Sequence, residues 1–138
     1  MENGYYIDTS IWIDLYEDRI GYNGEPLGRY ALRLFSTIRV KKIKLFISDL
    51  LITELESNYS IAEIRGMVLP FEKIICQIYS NREQCKEAIR IVVERNVPYG
   101  DALHAIIARD NNLKLITRDK HFIQLLDVSE PYKPEEII

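Results

Sequence analysis

Three short runs rich in β-branched and aromatic residues, Tyr5–Asp8 (YYID), Lys44–Ser48 (KLFIS) and Leu113–Thr117 (LKLIT), are separated by long stretches with helical spacing of apolar residues. Strands that alternate with helices in this way predict an α/β domain. After the first run, Ile11, Trp12 and Leu15 recur at helical spacing behind a cap-like Thr9 or Ser10. The glycines of GYNGEPLG mark a loop, and Arg29–Val40 reads as a helix. Ser48 is placed to cap a helix over Asp49–Asn58 that carries Glu54. Ser60–Tyr79 reads as a helix broken at Pro70, then a short strand around Ile74 and Ile75. Ser80 with Glu83 predicts a capping box for the next helix, which ends near Asn96 or Val97. Pro98 forces a new start, so Asp101 falls in the first turn of a helix whose Ala102, Ala105 and Ala108 permit close packing on a sheet. Pro131 and Pro134 mark a tail that is frayed or docked.

At 138 residues, 47% hydrophobic and 28% charged, the chain reads as a single domain, 1–138, large enough to be stable without disulfides. Cys76 and Cys85 are accordingly expected to be free thiols in a reducing compartment. The start MENGYYIDTS lacks the features of a targeting segment and no run approaches a membrane span, so the expectation is a cytoplasmic protein. A net charge of −3 argues against holding nucleic acid by bulk charge, but leaves room for a small acidic active site.

Asp8 and Asp119 end candidate strands, while Glu54 and Asp101 lie on the following helices. Ligands of open α/β sheets bind outside the carboxyl ends of the strands, where these acids would converge. Taken singly they read as ordinary residues. Asp8 and Asp119 would be turn or cap residues, Glu54 a solvated helix acid, and Asp101 a complement to the helix dipole. Taken together, four carboxylates repel, so either their pKa values rise or a hard cation such as Mg²⁺ or Mn²⁺ neutralises them, and an all-oxygen set favours the cation.

The segments YYIDTSIWID, ISDLLITELE, VPYGDALHAIIA and LKLITRDKHF resemble, in order and spacing, the four motifs of PIN-domain ribonucleases, most closely the VapC-type toxins of toxin–antitoxin pairs. The resemblance implies a three-layer α/β/α domain with a central parallel sheet. It also implies Mg²⁺- or Mn²⁺-dependent endoribonuclease activity, with Asp8, Glu54, Asp101 and Asp119 as catalytic, metal-holding acids. It further implies an RNA substrate, a small cognate antitoxin and a homodimer.

Around these acids, Thr9, Ser10 and Thr117 are candidates to orient carboxylates through their hydroxyls. Arg118 and Lys120, which flank Asp119, are candidates for phosphate contacts. His104 and His121 read as packing and turn residues. Trp12, Tyr5, Tyr6 and Tyr16 read first as core. The basic stretch RVKKIK (Arg39–Lys44) reads as a solvated edge. The lack of a large basic face favours a small structured RNA element as substrate. Other readings stay open: a housekeeping PIN nuclease, a non-catalytic RNA- or protein-binding module, and, last, an aspartyl-nucleophile phosphohydrolase, whose D-x-D-x-T string is absent after YYID.

Overall fold

The computed structural model describes residues 1–138. Five parallel strands, β1 (Gly4–Ile7), β2 (Leu45–Ser48), β3 (Ile75–Ile78), β4 (Leu113–Ile116) and β5 (Pro131–Tyr132), form one sheet in the order β3-β2-β1-β4-β5. The helices are α1 (Thr9–Glu17), α2 (Leu27–Lys41), α3 (Asp49–Glu56), α4 (Ile61–Val68), α5 (Arg82–Arg95) and α6 (Tyr99–Asp110), with short 3₁₀ turns at Leu69–Phe71, Lys120–Leu125 and Pro134–Glu136. This is the predicted α/β/α architecture.

Side-chain alternation along the strands divides the core between the two faces. Tyr6 and Leu115 join residues of α5 and α6 in one cluster, while Ile7, Leu45, Ile47 and Ile116 join residues of α1 to α4 in the other. Ala102, Ala105 and Ala108 of α6 are fully buried against the first face, as their small size allows. No helix is long and apolar enough to cross a membrane, and both cysteines are free.

Two details differ from the sequence reading, and a third, the tail, takes one of its two expected forms. The capping box of α5 is Asn81 with Gln84, not Ser80 with Glu83. Asp49 takes the Ser80 backbone N–H at 2.7 Å and its hydroxyl at 2.8 Å, so Ser80 is spent on holding the end of β3 and the cap falls one residue later. The third strand accordingly begins at Ile75 and runs to Ile78. The tail is docked: Pro131–Tyr132 pairs with β4 at the sheet edge, where proline's missing N–H costs no ladder bond.

Candidate active site

The chain leaves β1 into helices on one face and reaches β4 from α6 on the other, so the order of strands reverses between β1 and β4. In open α/β sheets such a reversal opens a crevice at the carboxyl ends of the strands, and that is where the acids lie. Asp8 follows β1 directly, Thr117 and Asp119 follow β4, Glu54 projects from α3, and Asp101 lies in the first turn of α6. These acids fall into two groups whose ligand atoms lie within 4.8 Å of one another: Asp8, Glu54 and His104, and Asp101, Asp119 and His121. Such a cluster is able to bind a metal. The two groups adjoin: the Thr117 hydroxyl donates to Asp8 Oδ2 at 2.9 Å and accepts from the Asp119 N–H at 3.1 Å, and Glu54 packs against Gly100, next to Asp101.

Asp8 occupies the N-cap position of α1 yet makes no cap bond with its side chain. Its Oδ2 instead accepts from the hydroxyls of Ser10 at 3.0 Å and Thr117 at 2.9 Å. A buried carboxylate that declines the local cap is being aimed elsewhere. Glu54 is gripped in the same manner: Oε1 accepts from Thr9 Oγ1 at 2.5 Å and lies 2.6 Å from His104 Nε2. Burial alone would raise the Glu54 pKa, but the hydrogen bond and charge of His104, with the bond from Thr9, hold it below its ordinary value. The other oxygen, Oε2, passes so close to Gly100 that a Cβ there would meet it at 2.6 Å, which explains why Asp101 is preceded by a residue without a side chain.

His104 is the residue the sequence reading undervalued. It is 1% exposed and is fixed at both nitrogens, Nε2 by Glu54 and Nδ1 by the Tyr6 hydroxyl at 2.6 Å. Tyr6 in turn meets Ser48 Oγ at 2.6 Å, so a buried chain of hydrogen bonds runs from the cap of α3 through Tyr6 and His104 to Glu54, an acid of that same helix. Burial works against the imidazolium, but the bond to Glu54 and the charges of Asp8, Glu54 and Asp101 outweigh it and raise the His104 pKa. A signal was present in the sequence: His104 stands one helical turn beyond Asp101 on an otherwise apolar face.

The Asp101 side is held differently. Asp119 accepts from the backbone N–H of His121 at 2.9 Å, while its own N–H donates to Thr117 Oγ1 at 3.1 Å. His121 Nδ1 lies 2.8 Å from Asp119 and 3.3 Å from Asp101, but neither approach has hydrogen-bond alignment. Asp101 Oδ2 is therefore buried with no partner. Burial, then the charges of Asp119 and Asp8, push the Asp101 pKa up to about 7, against a pull downward from His121. An orphaned carboxylate oxygen that feels the charges of Asp119 and Asp8 fits a cation held among these acids.

The two flanking cations part company. Lys120 is exposed. Arg118 is spent inside the protein: it donates to Glu135 of the tail at 2.8 Å, lies 3.9 Å from Asp14 and stands 5.5 Å from the Tyr30 ring centre. Of the aromatics, Tyr6 and Trp12 are buried, Tyr5 is half-buried and Tyr16 is exposed.

Residues 5–125 match the sequence signature of the PIN domain, so the chain belongs to the PIN-domain family. Solved structures carry the same fold. A toxin–antitoxin complex from Klebsiella pneumoniae superposes with a TM-score of 0.67 at 19% identity, covering 94% of this chain and 97% of that one. The VapC20 toxin of Mycobacterium tuberculosis, described as cleaving the sarcin-ricin loop, gives 0.63 at 17% identity, covering 88% and 94%. A protein from Pyrobaculum aerophilum gives 0.59 at 19% identity, covering 97% and 85%. No curated protein matches by sequence.

Proposed function

We propose that this chain is a metal-dependent endoribonuclease and the toxin of a toxin–antitoxin pair, working in the cytoplasm. The observation that carries the reading is the convergence of Asp8, Glu54, Asp101 and Asp119 in one crevice, with Asp101 Oδ2 buried and unpartnered.

Asp8, Asp101 and Asp119, with help from Glu54, would hold Mg²⁺ or Mn²⁺. Bound there, the ion supplies Lewis-acid polarisation of the scissile phosphate and lowers the pKa of water. The chain's own residues do the positioning. Ser10 and Thr117 fix Asp8, whose Oδ1 lies 3.8 Å from His104 Nε2, through its other oxygen, Oδ2. Thr9 and His104 do the same for Glu54, whose free Oε2 is placed to accept a hydrogen bond from the attacking water. With Arg118 committed to Glu135, Lys120 is the nearer candidate for a phosphate contact.

For the antitoxin, a groove of about 350 Å³ lined by Trp12, Leu15, Leu32, Phe35, Met67 and Phe71 offers an apolar bed. The antitoxin is further proposed to extend from this groove and carry a basic side chain to the acids. The likeness to a Klebsiella pneumoniae toxin–antitoxin complex supports this partner. A homodimer is proposed as well, and sedimentation showing only monomer at tens of micromolar would remove it.

The deciding experiment incubates purified protein with a pool of structured RNAs in Mg²⁺, Mn²⁺ or EDTA, beside Asp8→Asn and Asp101→Asn. Metal-dependent cutting that both folded variants lose is the expected result. Cutting that persists in EDTA or in both variants would sink it.

A further inference from the structure

The charges of this chain are segregated along its sequence. Leu27 to Ser48 contains six basic residues and no acidic one, although the whole chain has 18 basic and 21 acidic residues. The remainder therefore carries −9. Helix-dipole stabilisation explains Arg39 and Lys41 at the end of α2, but not Lys42 and Lys44, which lie beyond it. Lys42 adopts a left-handed conformation (φ 56°) that ends α2 and turns the chain into β2.

That turn lies beside the one that leads into β3. Leu45 pairs with Ile75 in the sheet, and the Leu45 N–H donates to the Ile74 carbonyl at 2.9 Å. Arg39, Lys42, Lys44 and Lys73 thereby face one concavity of about 650 Å³, floored by Leu69, Pro70 and Phe71 and carrying a single acid, Glu72. None of these four cations lies within 4.0 Å of a carboxylate oxygen. All four are exposed: Arg39 lies on α2, Lys42 at its C-cap, and Lys44 and Lys73 just before the paired strands β2 and β3.

We propose that this pocket is an anchor for the RNA backbone, holding phosphates of the substrate at the edge of the sheet opposite the acids. The inference rests on the ribonuclease reading above, which makes RNA the polyanion at hand. The acid site needs such an anchor, since it gathers four carboxylates and Arg118, the guanidinium beside Asp119 in the chain, is already paired. Strand β2 separates the two places by four residues, roughly 13 Å of extended backbone, so the RNA reaches both only by lying along the side of the molecule. An acidic protein segment is the competing occupant. The mixed cationic and exposed lining favours phosphates, because the apolar anchors a peptide would use belong to the neighbouring groove, which shares only Arg39, Pro70 and Phe71 with the pocket.

The test compares wild type with the triple variant Lys42→Gln, Lys44→Gln, Lys73→Gln, all exposed side chains outside the acid cluster. Binding of a labelled single-stranded RNA is followed by anisotropy in EDTA across a salt series, with polyglutamate as competitor. The expected result is a loss of about tenfold or more in affinity, with the slope of log K against log salt shallower by about 2, near 0.7 for each lost phosphate contact. Equal binding of the RNA by both proteins overturns the proposal, as does polyglutamate displacing RNA at matched charge, which assigns the pocket to an acidic protein. The two readings fail separately. Metal-dependent cutting lost in Asp101→Asn but unchanged in the triple variant sinks the anchor alone. Patch-dependent RNA binding without any cutting sinks the nuclease and leaves the anchor.

Discussion

The two halves of the acid cluster are built on opposite plans. On the Asp8 side, each carboxylate is gripped through one oxygen, by Ser10 and Thr117 for Asp8 and by Thr9 and His104 for Glu54. On the Asp101 side, a carboxylate oxygen is buried with nothing to accept from, and the pKa is driven to about 7. The first half has its partners inside the fold and is set before any ligand arrives. The second is incomplete, so a cation would be stabilised most strongly by Asp101 and Asp119 while Asp8 and Glu54 fix where it sits. Preorganisation and binding energy are assigned to different acids, although all four look alike in the sequence.

The largest effect should come from neutralising one acid in each half. On the proposed function, Asp8→Asn and Asp101→Asn should each lower metal-dependent cleavage on the order of 10³-fold, since each would remove a charge from the acids proposed to hold the cation. Their stabilities should diverge. Asp101→Asn relieves repulsion and should raise the melting temperature of the metal-free protein, whereas Asp8→Asn weakens the acceptor of two hydroxyls and removes a negative charge 3.8 Å from His104 Nε2, and should lower it. Equal shifts of the same sign in the two variants would erase the distinction between the halves.

His104→Leu probes the set half next. It strips Glu54 of its imidazole partner and leaves the Tyr6 hydroxyl facing an apolar side chain in the core. A loss of about 3 kcal/mol in urea denaturation is expected, typical for breaking a buried charged pair. A loss below about 1 kcal/mol would mean that His104 merely packs.

The fold was legible because period-2 runs and helical spacing survive in a single sequence. Tyr5–Asp8, Lys44–Ser48 and Leu113–Thr117 each became strands or their ends. The capping of α5 was misplaced because Ser80 and Asn81 are both good caps, and the choice rests on Asp49, 31 residues away. The four acids could be named from motifs, and their convergence follows from strand order. The roles of His104 and His121 could not, since a histidine on an apolar face signals packing unless its contacts are known. Arg118 shows the converse. Its place beside Asp119 suggests phosphate, yet Glu135, in a tail with no distinguishing pattern, occupies it.

The open half should also show itself in pH dependence. The folded pKa of Asp101, about 7, lies above its ordinary value of 3.8, so between those values the native state binds more protons than the unfolded chain. Stability of the metal-free protein should therefore fall as pH rises from about 4 to about 7. The raised His104 adds a loss of the same sign as pH climbs through its folded pKa, and the lowered Glu54 acts oppositely, losing its contribution as pH drops below 4.5. Melting curves of wild type and Asp101→Asn across this range separate the contributions. The variant should be flatter, and saturating Mg²⁺ should flatten the wild type. Parallel curves would show that Asp101 is not the strained acid.

The smallest effect isolates the hydrogen-bond chain behind Glu54. Tyr6→Phe keeps the ring in its buried place but deletes the hydroxyl between Ser48 and His104. His104 Nδ1 then loses its only hydrogen bond in a site closed to water, at a cost of about 1–2 kcal/mol. If the chain serves only stability, cleavage at a permissive temperature should be unchanged. If it positions Glu54 through His104, kcat should fall severalfold with KM constant, because phosphate binding does not involve Tyr6 while the orientation of Glu54 Oε2 does. A rise in KM alone would place Tyr6 outside this chain of positioning, and the set half would then depend on Thr9, Ser10 and Thr117 for its geometry.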